Sequence, residues 1–256
     1  MRLTLALVLV TPLVLWSFRG PILRGLGGAL VAEDALAPVD VIAVSHANVR
    51  ASALEAAALY REGLARRIVV AEWKKEELKT KLDELGVPYL ASHELVVAIL
   101  ERSGVPREAI TVLPGSVDGT NPEITIYVRF ANREKLRSLL YITSRSHTAR
   151  AAGRLRAEAP RTRILVHASR WDDFDVDTWW LRRGSTREVM TEYLRWFNSF
   201  VLGDHWRARP VSGSGDGVAP QEAALAPGDH RGHAALRYRD STWPSAGSVR
   251  PSSMLW

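Results

Sequence analysis

The 256-residue sequence contains no cysteine and has little excess charge. The missing cysteines exclude a disulfide framework, a cysteine-ligated zinc or iron–sulfur site and a cysteine nucleophile. The 34 Lys+Arg stand against 28 Asp+Glu, which leaves a formal net charge of +6. Proteins that bind nucleic acid usually cluster basic residues more strongly. The composition therefore predicts no nucleic-acid partner and leaves an anionic ligand or a membrane surface open.

The content of hydrophobic residues, 46%, and of charged residues, 24%, is typical of a globular protein. It excludes a collagen-like or a wholly disordered chain. The length allows one α/β domain with extensions at its ends, or at most two small domains. We expect the first arrangement.

Residues 3–18 contain no charged side chain, and Arg2 and Arg19 flank them. A helix of this length reaches only about 24 Å, against ~30 Å for a hydrocarbon core, so spanning requires both arginines to snorkel. Residues 1–32 are therefore predicted to be a membrane anchor or signal segment. A cleaved signal peptide and a buried apolar helix remain as alternatives to an uncleaved single-pass anchor.

Residues 203–256 are rich in Gly, Pro, Ser and Ala and show no sustained periodicity. Such composition does not supply enough apolar surface for a packed core. We expect a disordered C-terminal tail.

Residues 33–202 alternate short apolar runs with longer amphipathic segments. Five runs predict strands buried on both faces: Val41–Ser45, Arg67–Ala71, Ile110–Leu113, Leu139–Thr143 and Ile164–His167. Six segments predict helices: Val49–Gly63, Lys74–Leu85, His93–Arg102, Pro122–Arg137, Thr148–Glu158 and Thr186–Val201. This alternation predicts an α/β fold with a three-layer, Rossmann-like, doubly wound and mainly parallel sheet.

Polar residues follow several of the predicted strands, where open parallel sheets bind ligands. His46 is either a ligand or base, or a partner of a backbone carbonyl. Glu72 is either a crevice carboxylate or the partner of Arg50 or Arg150 in a structural ion pair. The candidates for ligand binding from these positions are His46, Arg50, Glu72, Ser144, Arg145 and Arg150. No metal site is predicted.

The segment from Ser144 to Arg150 combines several of these groups. Ser144 or Ser146 can cap the helix that begins near His147, whose free N–H groups would favour an anion. His147 and Arg150 are three residues apart and share a helix face. An imidazole there can move a proton near neutral pH while the guanidinium holds an anion. The alternative is a capped helix in which His147 makes only a structural hydrogen bond.

The order of several motifs resembles that of a known family. They are Val39–Val44 leading to Arg50, Ala56–Gly63, Gly104–Ile110, Ser116–Thr120 and Ile142–Ala151. Together they resemble the SanA/ElyC/YdcF family, which is built on a domain of unknown function, from about Val39 to Leu202. The last motif is the most specific.

The resemblance implies a Rossmann-like domain held outside the cytoplasmic membrane by an N-terminal anchor. It implies a role in envelope or peptidoglycan-precursor processes, with S-adenosylmethionine as a possible cofactor. The positions that match the family are Arg50, Thr120, Ser144, His147 and Arg150. By this resemblance we add Thr120 to the ligand-binding candidates.

The chain departs from the family pattern after its first two strands. Ser45-His46-Ala47 and Ala71-Glu72-Trp73 stand where the family usually has paired glycines, and Glu123 stands by spacing where it has an asparagine. Glycines permit a close backbone approach to a ligand, and Glu72 would repel an anion.

Three functions follow from these observations. The first is a membrane-anchored envelope protein that binds a small anionic or nucleotide-like ligand, with His147 as general acid or base and Arg50 and Arg150 binding the anion. The second is a non-catalytic envelope factor that has lost the ligand site and binds a partner. The third is a cytosolic S-adenosylmethionine-dependent transferase whose N-terminus does not insert. Whether the protein is an enzyme stays open.

Overall fold

Five short strands rich in β-branched residues form one parallel sheet. They are β1 (Val41–Val44), β2 (Ile68–Trp73), β3 (Ile110–Val117), β4 (Ser138–Thr143) and β5 (Arg163–Ala168). Their order in the sheet is β3-β2-β1-β4-β5, and every neighbouring pair is parallel. The predicted α/β class and all five predicted strands are confirmed, and β3 continues beyond its predicted end at Leu113.

This computed structural model describes residues 17–74, 77–87, 89–117 and 119–201. The described helices are α1 (residues 17–29), α2 (Val49–Arg61), α3 (Glu77–Glu84), α4 (Ser92–Arg102), α5 (Thr120–Arg133), α6 (Thr148–Glu158) and α7 (Arg183–Val201). Short 3-10 helices lie at Arg107–Ala109, Arg145–His147 and Trp179–Leu181. The predicted tail, residues 203–256, lies outside the described residues.

Helices cover both faces of the sheet because successive strand side chains point to opposite sides. Ile42 of β1 belongs to a buried cluster with the alanine-rich face of α2 and with α4. Its neighbour Ala43 belongs to the opposite cluster, which contains the buried faces of α5 and α6. The strands are apolar throughout because both of their faces are covered.

Helix α1 packs on the domain beside the 3-10 helix at Trp179 and beside α7. The indole Nε1 of Trp179 donates a hydrogen bond to the carbonyl of Leu23 at 2.9 Å, and Leu30 lies in the same buried cluster. Gly27 permits this approach, since a Cβ at that position would meet the Trp179 ring at 2.7 Å. The described end of the predicted anchor is therefore part of the folded domain.

The predicted membrane segment is described only from residue 17 onward. In that part and in the rest of the described chain, no helix has both the length and the apolar character that crossing a bilayer requires. Residues 1–16 lie outside the described residues.

Candidate functional site

The strand order creates a crevice at the carboxyl ends of the central strands. The chain passes from β1 to β2 and β3 on one side and then returns to β4 and β5 on the other. In such sheets ligands bind where the order reverses, beyond the carboxyl ends of the strands. Two buried polar clusters lie at this edge. The Glu123 cluster consists of Ser45, His46, Trp73, Glu123, Tyr127 and Tyr141. The Glu192 cluster consists of His147, Arg150, Glu192 and Arg195.

Glu123 is in the first turn of α5 and is only 1% exposed. Its Oε1 accepts the backbone N–H of His46 at 2.9 Å, and its Oε2 lies 3.2 Å from the hydroxyl of Tyr141. The carboxyl group thereby joins α5 to the loop after β1 and to β4.

Two tyrosines extend this network beneath the strand ends. The Tyr127 hydroxyl donates to the carbonyl of Val44 at 2.6 Å and accepts the N–H of Ala71 at 3.0 Å. The Tyr141 hydroxyl also lies 2.9 Å from Ser45 Oγ. Burial raises the pKa of both phenols well above 10.0, so both keep their protons. Tyr127 thus joins the ends of β1 and β2, and Tyr141 joins Ser45 to Glu123.

The rings of His46 and Trp73 stack above this network. Their centroids are 3.4 Å apart, and the planes meet at 15°. The pair lines two small cavities, of about 30 Å³ and about 10 Å³. Residues around the larger cavity include Lys74, Lys79, Tyr89 and Ser92, and residues around the smaller one include Ser92, His93 and Glu123. We call these two cavities the Glu123 cleft.

Burial shifts two ionisable groups of the cleft, Glu123 and His46, toward their uncharged forms. Burial raises the pKa of Glu123 from 4.5 to about 8, against the hydrogen bonds from His46, Tyr141 and Trp73, which lower it. Burial lowers the pKa of His46 from 6.5 to about 4. Near neutral pH the carboxyl group is therefore mostly protonated and the imidazole neutral. A carboxyl group with this pKa can donate or accept a proton at physiological pH.

His93 lines the smaller cavity and carries a buried ring nitrogen. Within the described part of the chain, its buried Nδ1 has no hydrogen-bond partner. Buried polar atoms are usually paired, so this nitrogen is an exception beside the cleft.

The Glu192 cluster lies where α7 packs against the start of α6. His147 is 2% exposed, and its Nδ1 is 3.0 Å from Glu192 Oε1. Arg150 Nε donates to the other carboxylate oxygen at 2.7 Å, and a terminal nitrogen of Arg195 lies 2.5 Å from Oε1. Burial lowers the pKa of His147, although the hydrogen bond with Glu192 opposes this shift. Both groups predicted to act on a ligand are thus engaged by one internal carboxylate.

The pKa of Glu192 shifts in the opposite direction from that of Glu123. Burial favours its protonated form, but the hydrogen bond and charge of His147 and the charge of Arg150 outweigh that effect and lower the pKa to about 2. Glu192 therefore stays ionised at neutral pH.

Two polar groups in the 3-10 helix just before α6 also have internal partners. The N–H of Arg145 donates to Asp172 Oδ2 at 3.2 Å, and Ser146 Oγ lies 3.4 Å from Glu188. Ser144 is at the N-cap position of the short 3-10 helix but makes no side-chain capping bond. Here the protein's own carboxylates occupy the place that the sequence predicted for an external anion.

The remaining predicted residues are spread along the edge. Arg50 is exposed in the first turn of α2, Thr120 is half-buried at the start of α5, and Glu72 is half-buried on β2. Across residues 17–201, apart from the four positions not described, no ion pair joins Glu72 to Arg50 or Arg150. Arg145 pairs with Glu33 at 3.0 Å. Of the predicted residues, only His46 reaches the Glu123 cleft.

Sequence reasoning did not assign Glu123, Trp73 or Glu192 to a site. One signal for Glu123 was available, because Tyr127 follows it by four residues and shares its helix face. The signal for Glu192 was a carboxylate at helical spacing from the buried Val189 and from Trp196. A charged residue on an apolar helix face requires a buried partner.

S-adenosylmethionine does not fit the cleft. The ring of His46, which follows β1, stacks on that of Trp73 at the end of β2, and both lie in segments where the SanA/ElyC/YdcF pattern has glycines. The two cavities hold only a few water-sized groups, far less than a nucleoside needs. No group of three potential metal ligands occurs among the residues that the structure describes.

The fold and its polar edge define an α/β protein with a five-stranded parallel sheet and a switch-point crevice. No model of a known family, no curated protein and no solved structure matches this chain. The resemblance to the SanA/ElyC/YdcF family therefore stays a prediction from the motifs.

Proposed function

We propose that this chain is a membrane-attached protein of the cell envelope whose α/β domain binds a small anionic ligand in the Glu123 cleft. The buried Glu123 carboxyl group beneath the stacked rings of His46 and Trp73 carries the proposal. A titratable group with a strongly shifted pKa, in a cleft at the carboxyl edge of a parallel sheet, is characteristic of a functional site.

The polar groups of the cleft favour an anion of carboxylate or phosphate size. Lys74 and Lys79 supply positive charge at the larger cavity. Lys79 is shared with Asp83 and Glu94, at 3.3 and 3.5 Å, so the exposed Lys74 carries most of the attraction. A protonated Glu123 does not repel an anion and can donate a hydrogen bond to it. A nucleotide-like ligand would require His46 and Trp73 to separate.

If the domain is an enzyme, Glu123 is the proton-transfer group that the geometry favours. Its pKa of about 8 suits general acid or base work near neutral pH. His147, the group that the sequence favoured, is 2% exposed and bound to Glu192.

The rival function is a non-catalytic envelope factor that binds a protein partner. One observation favours it: Arg150 and the N–H of Arg145, at the edge that resembles the family site, already have the carboxylates of Glu192 and Asp172 as partners. That edge offers few free donors to an external anion.

A thermal-shift series on the full chain tests ligand binding in the cleft. The probes are inorganic phosphate, acetate, nucleoside monophosphates and S-adenosylmethionine, applied to the wild type and to Trp73→Ala. A probe at 100 times its dissociation constant stabilises the wild type by about 2.7 kcal/mol. Trp73→Ala is expected to lose this response, whereas Trp180→Ala, a tryptophan in the cluster beside α1, is expected to keep it.

Two results would remove the cleft proposal: no probe stabilises the wild type, or Trp73→Ala responds as the wild type does. If nucleotides stabilise the protein and phosphate and acetate do not, the ligand of the cleft is nucleotide-like and not a small anion.

Membrane attachment through residues 1–32 is tested separately by fractionation of cells that express the full chain. An inserted anchor keeps the protein in the membrane pellet after a carbonate wash, because alkaline carbonate strips only peripheral proteins. Recovery in the wash would show that the protein is attached only peripherally. Recovery in the initial soluble fraction would contradict membrane attachment altogether.

A further inference from the structure

The outer face of α7 presents an apolar stripe that nothing in the described protein covers. Leu194 and Phe197 are 64% and 65% exposed, and Met190 and Val201 are exposed as well. These four residues follow one another at intervals of three or four, so they share one side of the helix. The opposite side of α7 is buried through Val189 and Glu192.

Helix α1 carries a second apolar stripe beside the first. Phe18, Ile22 and Leu26 are exposed and lie four residues apart. The Tyr193 hydroxyl of α7 donates to the Leu26 carbonyl at 2.7 Å, which brings the two stripes next to each other. We call the surface formed by these seven apolar residues the α1/α7 face.

The charged side chains on the outer side of α7 are basic. Arg183 and Arg187 are exposed and lie seven and three residues before Met190, on the same side of α7. The described residues of α1 and α7 include only two acidic side chains, and both contact the domain: Glu188 lies beside Ser146, and Glu192 beside His147. The outer face of α7 is therefore apolar with basic residues at its start.

The α1/α7 face also continues the most apolar part of the sequence. The uncharged residues 3–18 run directly into α1, and Phe18 is both the last residue of that run and the first of the α1 stripe. An apolar helix face with basic neighbours is the pattern of helices that lie in a membrane interface, and each arginine near an anionic surface adds to the attraction.

We infer that the α1/α7 face lies on an anionic lipid bilayer, with Met190, Leu194 and Phe197 among the acyl chains and Arg183 and Arg187 at the headgroup phosphates. The inference goes beyond attachment through the N-terminal residues, because it assigns a lipid contact to the folded domain itself. It does not depend on the ligand proposed for the Glu123 cleft, nor on whether residues 3–18 span the membrane.

Site-specific fluorescence on the full chain tests this contact directly. The chain has no cysteine, so Leu194→Cys and, in a second protein, Phe197→Cys each give one labelling site for an environment-sensitive dye. Leu85→Cys is the matched control, since Leu85 is an equally exposed leucine on the segment after α3. The vesicles contain phosphatidylcholine alone or with phosphatidylglycerol, with and without brominated acyl chains.

With anionic vesicles, the dyes at 194 and 197 are expected to shift to shorter wavelength and to be quenched by brominated lipid, while the dye at 85 does neither. Arg183→Gln and Arg187→Gln, added to Leu194→Cys, are each expected to weaken the quenching titration by about fivefold.

Three outcomes would overturn the inference. Dyes at 194 and 197 that stay in water while the protein co-sediments with vesicles would mean attachment through the N-terminus only. A blue-shifted dye at 194 before vesicles are added would mean that another part of the chain covers the face. A shift that depends on protein concentration and not on lipid would identify a second copy as the occupant.

Discussion

Glu123 and Glu192 are both almost inaccessible to solvent at the same edge of the sheet, yet they hold opposite protonation states. They are 1% and 3% exposed. The partners of Glu123 are neutral, namely a backbone N–H, a phenol and the indole of Trp73, and burial raises its pKa to about 8. Glu192 lies between His147, Arg150 and Arg195, and its pKa falls to about 2.

The comparison teaches that burial favours the protonated form of a carboxyl group and that cationic neighbours can outweigh it. It also separates two roles. The Glu123 carboxyl group lines a cavity and can exchange a proton near neutral pH, whereas the Glu192 carboxylate is locked between cations and joins α7 to α6.

Removing the Glu192 carboxylate is expected to cause the largest loss of stability. Glu192→Gln leaves the buried end of Arg150 without its counter-charge, which costs about 3 kcal/mol in the free energy of unfolding. Urea denaturation at pH 7 measures the loss. The control is Glu188→Gln, an exposed glutamate on the same helix, expected to stay within about 0.5 kcal/mol. Equal losses in both variants would contradict the ion-pair account.

The two glutamates are expected to give pH dependences of opposite sign. Glu192 has a lowered pKa in the folded state, so its contribution is present above pH 4.5 and is lost as the pH falls toward about 2. Glu123 has a raised pKa, so the folded state binds the extra proton and stability falls as the pH rises from 4.5 through about 8.

Over this range the free energy of unfolding can fall by at most ~1.4 kcal/mol for each pH unit. We expect a smaller fall from Glu123, about 2 kcal/mol in all, because the cavity admits water. Denaturation curves at a series of pH values measure it. Glu123→Gln should flatten the alkaline side and leave the acid side unchanged. An alkaline slope that persists in this variant would show that Glu123 is not the titrating group.

Tyr141→Phe is expected to have a smaller effect, a loss of about 1 kcal/mol. It removes the hydroxyl shared by Glu123 and Ser45, and since that hydrogen bond lowers the pKa of Glu123, the alkaline midpoint should move upward. Tyr60→Phe is the control, because Tyr60 packs in the core on the other face of the sheet. An unchanged midpoint in Tyr141→Phe would mean that the phenol does not act on Glu123.

The smallest effect is expected from Arg195→Gln. Arg195 contacts Glu192, but its side chain is half-exposed, and exposed ion pairs contribute little because water and salt screen them. We expect a loss of about 0.5 kcal/mol in urea denaturation at pH 7, sensitive to added salt. A loss as large as that of Glu192→Gln would mean that Arg195, and not Arg150, supplies the main counter-charge.

Much of the fold could be predicted from local sequence pattern. The runs at Val41 and Leu139 are too short and too uniformly apolar for half-exposed strands, and both lie inside the parallel sheet. The candidate site could be predicted only in part. His46 was predicted from its place after β1, whereas the pairing of Arg150 with Glu192 joins positions 42 residues apart. Such a contact follows from how α7 packs on α6, which no local periodicity encodes.

The sequence by itself determined the α/β alternation, the strands covered on both faces and the exclusion of cysteine chemistry. Each of these depends on residue type and on spacing within a few residues. Such local spacing determines whether a segment forms a strand or a helix and which residues share a face. Only the tertiary structure decided that His147 is bound to Glu192 and that Glu123 lies under His46 and Trp73. Desolvation and Coulomb interactions vary over a few ångströms, and those distances are set by segments far apart in the chain.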